Sequence, residues 1–212
     1  MQHCEKSEQL YDHYKETCGL NRNACKERNK FFILLVVGIL VLLLLSVRPG
    51  FAADLAIAIL KGRVDIDITP SIRLLQAGTW MFVLYSLMRY IQANIKIEKD
   101  YLYIADLEKK LAQCGIDVSR DGKSYIEEYP KVQDFISVIY SALCPTIYIV
   151  CFSYKIYLEW VNSLPQISPV LIFDSVLAAI CIVLVLFYLI FRYNIYKQYK
   201  IRKKNGPRSK KI

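Results

Sequence analysis

The sequence predicts an all-α, polytopic membrane protein with four transmembrane helices, a cytoplasmic helical stalk and a small hairpin. Three observations support this fold class. Hydrophobic residues make up 55% of the 212 residues, which is high for a soluble domain, and they occur in blocks. One of these blocks continues into a long charged helix without a break. Lys and Arg are concentrated on alternate sides of the blocks, as expected for a chain that crosses a membrane repeatedly.

Four apolar blocks give the predicted spans, because a hydrocarbon core of about 30 Å requires roughly 20 helical residues. The blocks are Phe31–Val47, Leu74–Met88, Phe135–Tyr154 and Val170–Phe191. The predicted organisation is then an N-terminal cytoplasmic helix (1–30), the first span, outer loop and second span (31–95), a cytoplasmic stalk and hairpin (96–133), the third and fourth spans (134–193), and a basic cytoplasmic tail (194–212).

The N-terminal segment predicts a helix that begins near Glu5 and runs directly into the first span, since no Pro interrupts it. Its apolar residues recur at helical spacing and form a narrow stripe. This stripe consists of Leu10, Tyr11, Tyr14, Cys18 and Cys25. The span that follows is almost pure Leu, Val and Ile, which suits lipid contact or passive packing.

The central helix, Ser71–Cys114, has neither Gly nor Pro between Thr79 and Cys114, so we expect one helix to serve as both span and stalk. Trp80 and Tyr90 are predicted to lie at the two membrane interfaces. Apolar residues continue through the charged half at bundle-like spacing and predict a packing seam. The seam residues are Ile95, Leu102, Leu107 and Leu111, and their partner is either the N-terminal helix or a second protomer.

A small hairpin is predicted after Gly115, which ends the stalk. Two short β-prone pieces flank an Asp-Gly turn, the usual signal for a tight hairpin. Its residues Arg120, Asp121 and Lys123 are the candidate docking surface for a partner protein. A turn that only returns the chain to the membrane is the alternative.

Three residues within or beside the spans are candidates for a gate or a lipid contact. Arg89 lies at the inner boundary of the second span, where snorkelling to the headgroups is the simpler interpretation. Pro145 lies inside the third helix, where it predicts a kink. Asp174 lies near the outer edge of the fourth span. It suggests a proton or ion site, although access to water from the interface is the simpler interpretation.

Topology follows from the Lys and Arg counts of the flanking segments. The N-terminal segment has six, the segment Ile91–Gln133 has seven and the segment Arg192–Ile212 has nine, whereas Val161–Pro169 has none. Both termini and the stalk are therefore predicted on the cytoplasmic side of the inner (cell) membrane. The basic tail, with Arg202, Lys203 and Lys204, is interpreted as a topogenic signal. Contact with anionic lipid or nucleic acid is the alternative.

No catalytic or cofactor-binding pattern is present in the sequence. It has no Gly-rich phosphate loop, no HExxH, no CxxC and no nucleophile elbow, and its seven cysteines lack metal-ligand spacing. The sequence therefore predicts a protein that is not an enzyme and has neither cofactor nor metal site. The expected partners are the lipid bilayer, further copies of the chain and a cytoplasmic protein.

Residues 5–115 resemble a known type of bacterial membrane protein. The run Tyr14-Lys-Glu16, the run Lys26-Glu-Arg-Asn-Lys-Phe-Phe32 leading into a span, and a second span with a long cytoplasmic helix look like the SLATT type of anti-phage proteins, which are proposed to perforate membranes. The four-span layout is also similar to the membrane subunit of the Kiwa defence system and to multi-spanning accessory proteins of some RNA-targeting CRISPR loci. These resemblances imply a role in anti-phage defence. Pore walls need polar or small faces, and only the third span, with Arg89 and Asp174, offers them, so we expect a membrane scaffold or sensor, with a pore-forming effector as the alternative.

Overall fold

A computed structural model describes residues 2–48, 50–51, 72–116, 118, 138–163 and 168–205, and all regular structure in these ranges is helical. There are four long helices: α1 (Gln2–Val47), α2 (Ile72–Gln113), α3 (Cys144–Ser163) and α4 (Pro169–Asn205). A π-helical turn, Ile139–Leu143, precedes α3. The predicted all-α class is confirmed for these residues. The hairpin residues Arg120, Asp121 and Lys123 lie outside them.

Three stretches of helix are long and apolar enough to cross a membrane. Among the described residues they are Ser7–Val47, Ile139–Val161 and Pro169–Ile195, each of which contains an 18-residue segment with a mean hydropathy of 1.3 or more. The chain thus has the makeup of a helical membrane protein. The predicted second span, Leu74–Met88, belongs to α2 and is not among these stretches, so the number of four spans stays a prediction.

The helices contribute to two compact units. Unit 1 comprises Met1–Arg28, Ile91–Leu143 and Phe187–Ile212, and unit 2 comprises Asn29–Tyr90 and Cys144–Leu186. α1, α2 and α4 therefore each provide residues to both units. The predicted uninterrupted helix from the N-terminal segment into the first span is confirmed, because α1 runs from Gln2 to Val47 without a break.

Unit 1 has an apolar core between the first part of α1 and the charged half of α2. Tyr14 and Cys18 of α1 are buried together with Ile104, Leu107 and Leu111 of α2. Leu10, Tyr11, Ile116 and Val118 pack around this core. Removing such side chains from water is the main favourable contribution to pairing two amphipathic helices in an aqueous compartment.

Gly115 ends α2 with a Schellman motif, in which a residue of positive φ turns the chain back over the last turn. Its φ is +82°, and the two diagnostic hydrogen bonds are present. The amide of Gly115 donates to the carbonyl of Ala112 at 3.1 Å, and the amide of Ile116 donates to Leu111 at 3.0 Å. The Ile116 side chain then packs against the core that contains Leu111.

Aromatic rings fill the interior of unit 2. Trp80 is fully buried, with its ring centroid 5.7 Å from that of Phe152. Tyr90 is also fully buried and packs edge-on against Tyr148 at 6.4 Å. Both rings are used for packing between helices, and the predicted position of Trp80 and Tyr90 at the two membrane interfaces stays a prediction. Large aromatic side chains bury more area than any others, which favours them at such contacts.

The helical stretch that contains Pro145 is disturbed just before that residue. Pro145 is the second residue of α3 and follows the π-helical turn Ile139–Leu143 directly. Proline lacks an amide hydrogen and clashes with the preceding turn, so the helix widens instead of continuing regularly. The buried side chain of Ser141 lies within this wide turn.

Candidate functional site

Unit 2 contains a buried group of polar and charged side chains from three helices, which we call the buried charge cluster. It consists of Gln76 of α2, Lys155 and Glu159 of α3, and Asp174 of α4. Lys155 and Glu159 are four residues apart, a spacing that places their side chains on the same helix face. Asp174 lies in the second turn of α4, whose start is fixed by Ser168, since the Ser168 hydroxyl accepts a hydrogen bond from the Leu171 amide.

Hydrogen bonds connect all four members of the buried charge cluster. The Lys155 ammonium donates to Oε1 of Glu159 and forms an ion pair with it. The Gln76 amide nitrogen donates both to Oε1 of Glu159 and to Oδ2 of Asp174. A single amide therefore bridges two carboxyl groups that come from different helices, and it brings their oxygens next to each other.

Two members of the buried charge cluster are removed from solvent, whereas Gln76 and Glu159 are half-buried. Lys155 is 1% exposed and Asp174 is 0% exposed. The Lys155 ammonium lies 5.7 Å from the ring centroid of Trp80, close enough for a cation–π interaction. Burying charges at such a site costs several kcal/mol per ion unless they are compensated by partners. Enclosure of this kind is the usual mark of a functional rather than an incidental charge within an apolar unit.

Two carboxyl oxygens of the buried charge cluster are left without a partner. Within the described ranges, neither Oδ1 of Asp174 nor Oε2 of Glu159 has a hydrogen-bond partner, although both atoms are buried. In the same part of the chain, no group of three or more His, Cys, Asp and Glu is placed to hold a metal ion. Both atoms are oxygens of the two carboxyl groups that the Gln76 amide bridges.

The predicted role of Asp174 needs one correction. We expected a carboxylate with access to water near the outer edge of the fourth span, but the side chain is fully buried. Gln76, Lys155 and Glu159 account for this burial, and none of them is a predicted site residue. Lys155 and Glu159 lie within the aromatic segment Tyr154–Trp160, and their four-residue spacing in an apolar helix was the signal that could have identified them.

Arg89 and Pro145 are not members of the buried charge cluster. The guanidinium of Arg89 lies 5.4 Å from the ring centroid of Phe31, which is on α1. This cation–π contact and the half-buried position of Arg89 account for a charge at this point of α2 without a gate. Whether Arg89 or Pro145 contacts lipid or acts in gating stays a prediction.

The predicted seam residues fall into two groups in unit 1. Leu107 and Leu111 are buried in the core with Tyr14 of α1, whereas Ile95 and Leu102 are half-buried. The sequence argument missed Ile97 and Ile104, which are 4% and 0% exposed. Ile97, Ile104 and Leu111 are each seven residues apart, so a search for heptads would have found them.

Unit 1 also contains an ion pair between α2 and α4. The Arg192 guanidinium donates to Oε1 of Glu98 at 2.9 Å, and their side chains are 21% and 11% exposed. Arg192 was counted with the basic tail, but it is a packing residue that joins two helices. Arg202, Lys203 and Lys204 belong to the last part of α4, and their side chains lie outside the described part of the structure.

The chain matches no protein-family model, and no curated protein sequence and no solved structure is significantly similar to it.

Proposed function

We propose that this chain is a four-span integral protein of the inner (cell) membrane, with both termini and the charged half of α2 in the cytoplasm. It acts as a non-enzymatic scaffold or sensor that oligomerises and couples the state of the membrane to a cytoplasmic protein partner. The resemblance of residues 5–115 to SLATT-type proteins supports a setting in bacterial anti-phage defence.

One observation carries this proposal: α1, α2 and α4 each provide residues to two separately packed units. One unit contains most of the apolar helix, and the other contains charged helix with an apolar core. An α-helix is stiff along its axis, so a movement of its apolar half is passed on to its charged half. Coupling between membrane and cytoplasm then requires no catalytic group.

The proposed topology is tested by thiol labelling of Cys114, which is exposed at the end of α2. A membrane-impermeant maleimide should label wild type more than Cys114→Ser in inside-out vesicles, with no difference in right-side-out vesicles. Gln166→Cys in the Cys114→Ser background, at the predicted outer loop, should give the opposite pattern. Labelling of Cys114 from the outside would disprove the four-span topology.

The scaffold function is tested on the purified full chain. Light scattering in detergent should give the mass of an oligomer, and reconstituted liposomes should show no ion flux. A cytoplasmic protein purified with the chain should be lost on the double substitution Arg120→Glu and Lys123→Glu in the predicted hairpin. The matched control is Lys203→Glu with Lys204→Glu in the tail, which should retain the partner. In cells, the hairpin variant should abolish any protection against phage that the wild type provides.

A second candidate is a pore-forming effector that depolarises the cell. The observation in its favour is the buried charge cluster, because charged side chains inside an apolar unit are typical of ion and proton pathways. Flux of ions through liposomes that contain the protein alone, reduced by Asp174→Asn, would favour this candidate over the scaffold.

A further inference from the structure

We propose that the buried charge cluster is a binding site for a single proton, which the carboxyl groups of Glu159 and Asp174 share. The proton is a ligand of unit 2 itself. The inference therefore goes beyond the scaffold function and does not depend on the cytoplasmic partner, on oligomerisation or on ion flux.

The charge balance of the site favours one bound proton. The charged groups that act on Asp174 are Glu159 and Lys155, both from α3, and the group facing it from α2 is the neutral Gln76. Two carboxylates and one ammonium leave one negative charge uncompensated. A net charge at a site where Lys155 and Asp174 are removed from solvent beside the Trp80 ring is strongly unfavourable, and one bound proton makes the site neutral.

The placement of the carboxyl oxygens of Glu159 and Asp174 also favours one shared proton. Because both carboxyl groups accept from the same Gln76 nitrogen, their oxygens are neighbours. Two adjacent carboxylates repel each other, and the arrangement that relieves this repulsion is one acid and one carboxylate. The unpartnered oxygens, Oδ1 of Asp174 and Oε2 of Glu159, provide the acceptors on which the added proton resides.

A proton fits this site better than a metal cation does. The Lys155 ammonium already occupies one side of Glu159, so a second cation would meet a positive charge there. A cation such as Ca²⁺ also takes about six to eight oxygen ligands. The two carboxyl groups have four oxygens, and one of these, Oε1 of Glu159, already accepts from Lys155. A proton requires only a donor and an acceptor oxygen.

Release of this proton should weaken unit 2. When the proton leaves to solvent, both carboxylates become charged and repel each other, and the contacts that Gln76 makes between α2, α3 and α4 are lost or rearranged. At neutral pH the folded state binds this proton, whereas the unfolded state, in which both carboxyl groups are in water, does not. Stability falls as pH rises through the range in which the site gives up its proton.

Infrared spectroscopy of the full chain in detergent gives a direct test. At neutral pH the carboxylic-acid C=O band of wild type should include one component that is absent in Asp174→Asn and absent in Glu159→Gln. The control Glu16→Gln, which removes an exposed carboxylate of unit 1, should keep this component. If Asp174→Asn does not fold, Glu159→Gln carries the same test, because the shared proton needs both groups.

Proton linkage gives a second, independent measurement. Reversible unfolding in mixed detergent micelles should show an unfolding constant that rises about tenfold per pH unit, the value for one proton, between the pKa of a carboxyl group in the unfolded chain and the pH at which the folded site releases its proton. The slope should fall by this one proton in Asp174→Asn, whose cluster is neutral without the proton, and be unchanged in Glu16→Gln. An acid band that neither carboxyl variant removes, or a pH dependence equal in wild type and Asp174→Asn, would overturn the proposal. A band removed by only one of the two variants would contradict the sharing.

Discussion

The backbone conformation of Gly115 decides how α2 ends. Its φ of +82° lies in the left-handed region, where a Cβ atom collides with the backbone, although no other atom lies within 4 Å of an added Cβ. The Schellman hydrogen bonds depend on this conformation, and they place Ile116 against the core of unit 1. Backbone strain, and not lack of space, therefore makes glycine the residue of choice at this position.

Gly115→Ala should destabilise unit 1 by about 1 kcal/mol, the usual cost of a left-handed residue other than glycine. Local opening of unit 1 exposes Cys18, whose side chain is 5% exposed, so its maleimide labelling rate should rise about fivefold. Gly19→Ala is the matched control, because Gly19 is helical and an added Cβ meets nothing within 4 Å. This variant should label no faster than wild type. Equal labelling rates for both variants would contradict a conformational role of Gly115.

Asp100 makes the stability of unit 1 depend on pH. Its burial raises the pKa of the carboxyl group, while the nearby Lys96 ammonium opposes the increase. One of its oxygens, Oδ2, is buried without a hydrogen-bond partner among the described residues. Because the folded-state pKa is above the unfolded-state value, Asp100 favours folding at acid pH, and this contribution is lost as pH rises through the raised pKa.

We therefore expect Asp100→Asn to raise the melting temperature in detergent at neutral pH and to leave it nearly unchanged at acid pH. The amide has no charge to desolvate, so the penalty for burying the carboxylate disappears. Asp12→Asn is the control, since Asp12 is an exposed residue that pairs only loosely with Lys15 at 3.9 Å. A lower melting temperature for Asp100→Asn at neutral pH would show that the carboxylate has a stabilising partner.

At the scale of elements, α1 and α2 approach each other closely at Gly38. A Cβ added to Gly38 would lie 2.7 Å from Cγ2 of Val83 and 3.3 Å from the ring of Phe82. The same two helices line an apolar groove of about 450 Å³, which includes Gly38, Gly78 and Phe82. Small residues are favoured where helices meet in a membrane, because they allow close backbone contact.

Gly38→Ala should destabilise unit 2 by about 1–3 kcal/mol, the range observed for overpacked sites. Gly78→Ala is the matched control, since an added Cβ there meets nothing within 4 Å. Adding Val83→Ala removes the atom that collides and should restore much of the loss in a double-mutant cycle. The measurement is the unfolding constant in mixed micelles. A Gly38→Ala variant as stable as Gly78→Ala would contradict the close packing of α1 and α2.

The lengths of α1 and α2 were predictable, but the length of α4, which continues to Asn205 beyond the predicted span, and the polar contacts between helices were not. α1 extends through its apolar block because no proline interrupts it, and Gly115 marks the end of α2 in the sequence as in the structure. The partners of Asp174 come from positions 15, 19 and 98 residues away, and no periodicity relates Gln76 to α3 and α4. Trp80 illustrates the same limit. Its position near the end of the predicted span indicated an interfacial ring, whereas packing against Phe152 of α3 buries the ring.

At the scale of the whole molecule, substitution of Leu107 shows whether the seam of α2 stabilises the folded chain, the assembly of protomers or both. Leu107 is 2% exposed and packs in unit 1 with Tyr14 and Cys18 of α1. Glu108, beside it, accepts a hydrogen bond from the Tyr14 hydroxyl at 3.3 Å. Leu107→Asp buries a second acid near Glu108 and removes an apolar contact, so we expect the core of unit 1 to open.

Opening of unit 1 should leave membrane insertion intact, because the apolar stretches of α1, α3 and α4 are unchanged. Leu107→Asp should therefore reach the membrane in wild-type amounts, label faster at Cys18 and run at a lower mass in detergent if the seam also holds protomers together. The control is Leu20→Asp, since Leu20 is 47% exposed on α1 and makes no comparable contact in the core. Faster labelling with an unchanged oligomer mass would restrict the seam to contacts within one chain. In that case we expect assembly through the apolar faces of unit 2, because apolar helix faces with small residues are the usual contacts between membrane helices.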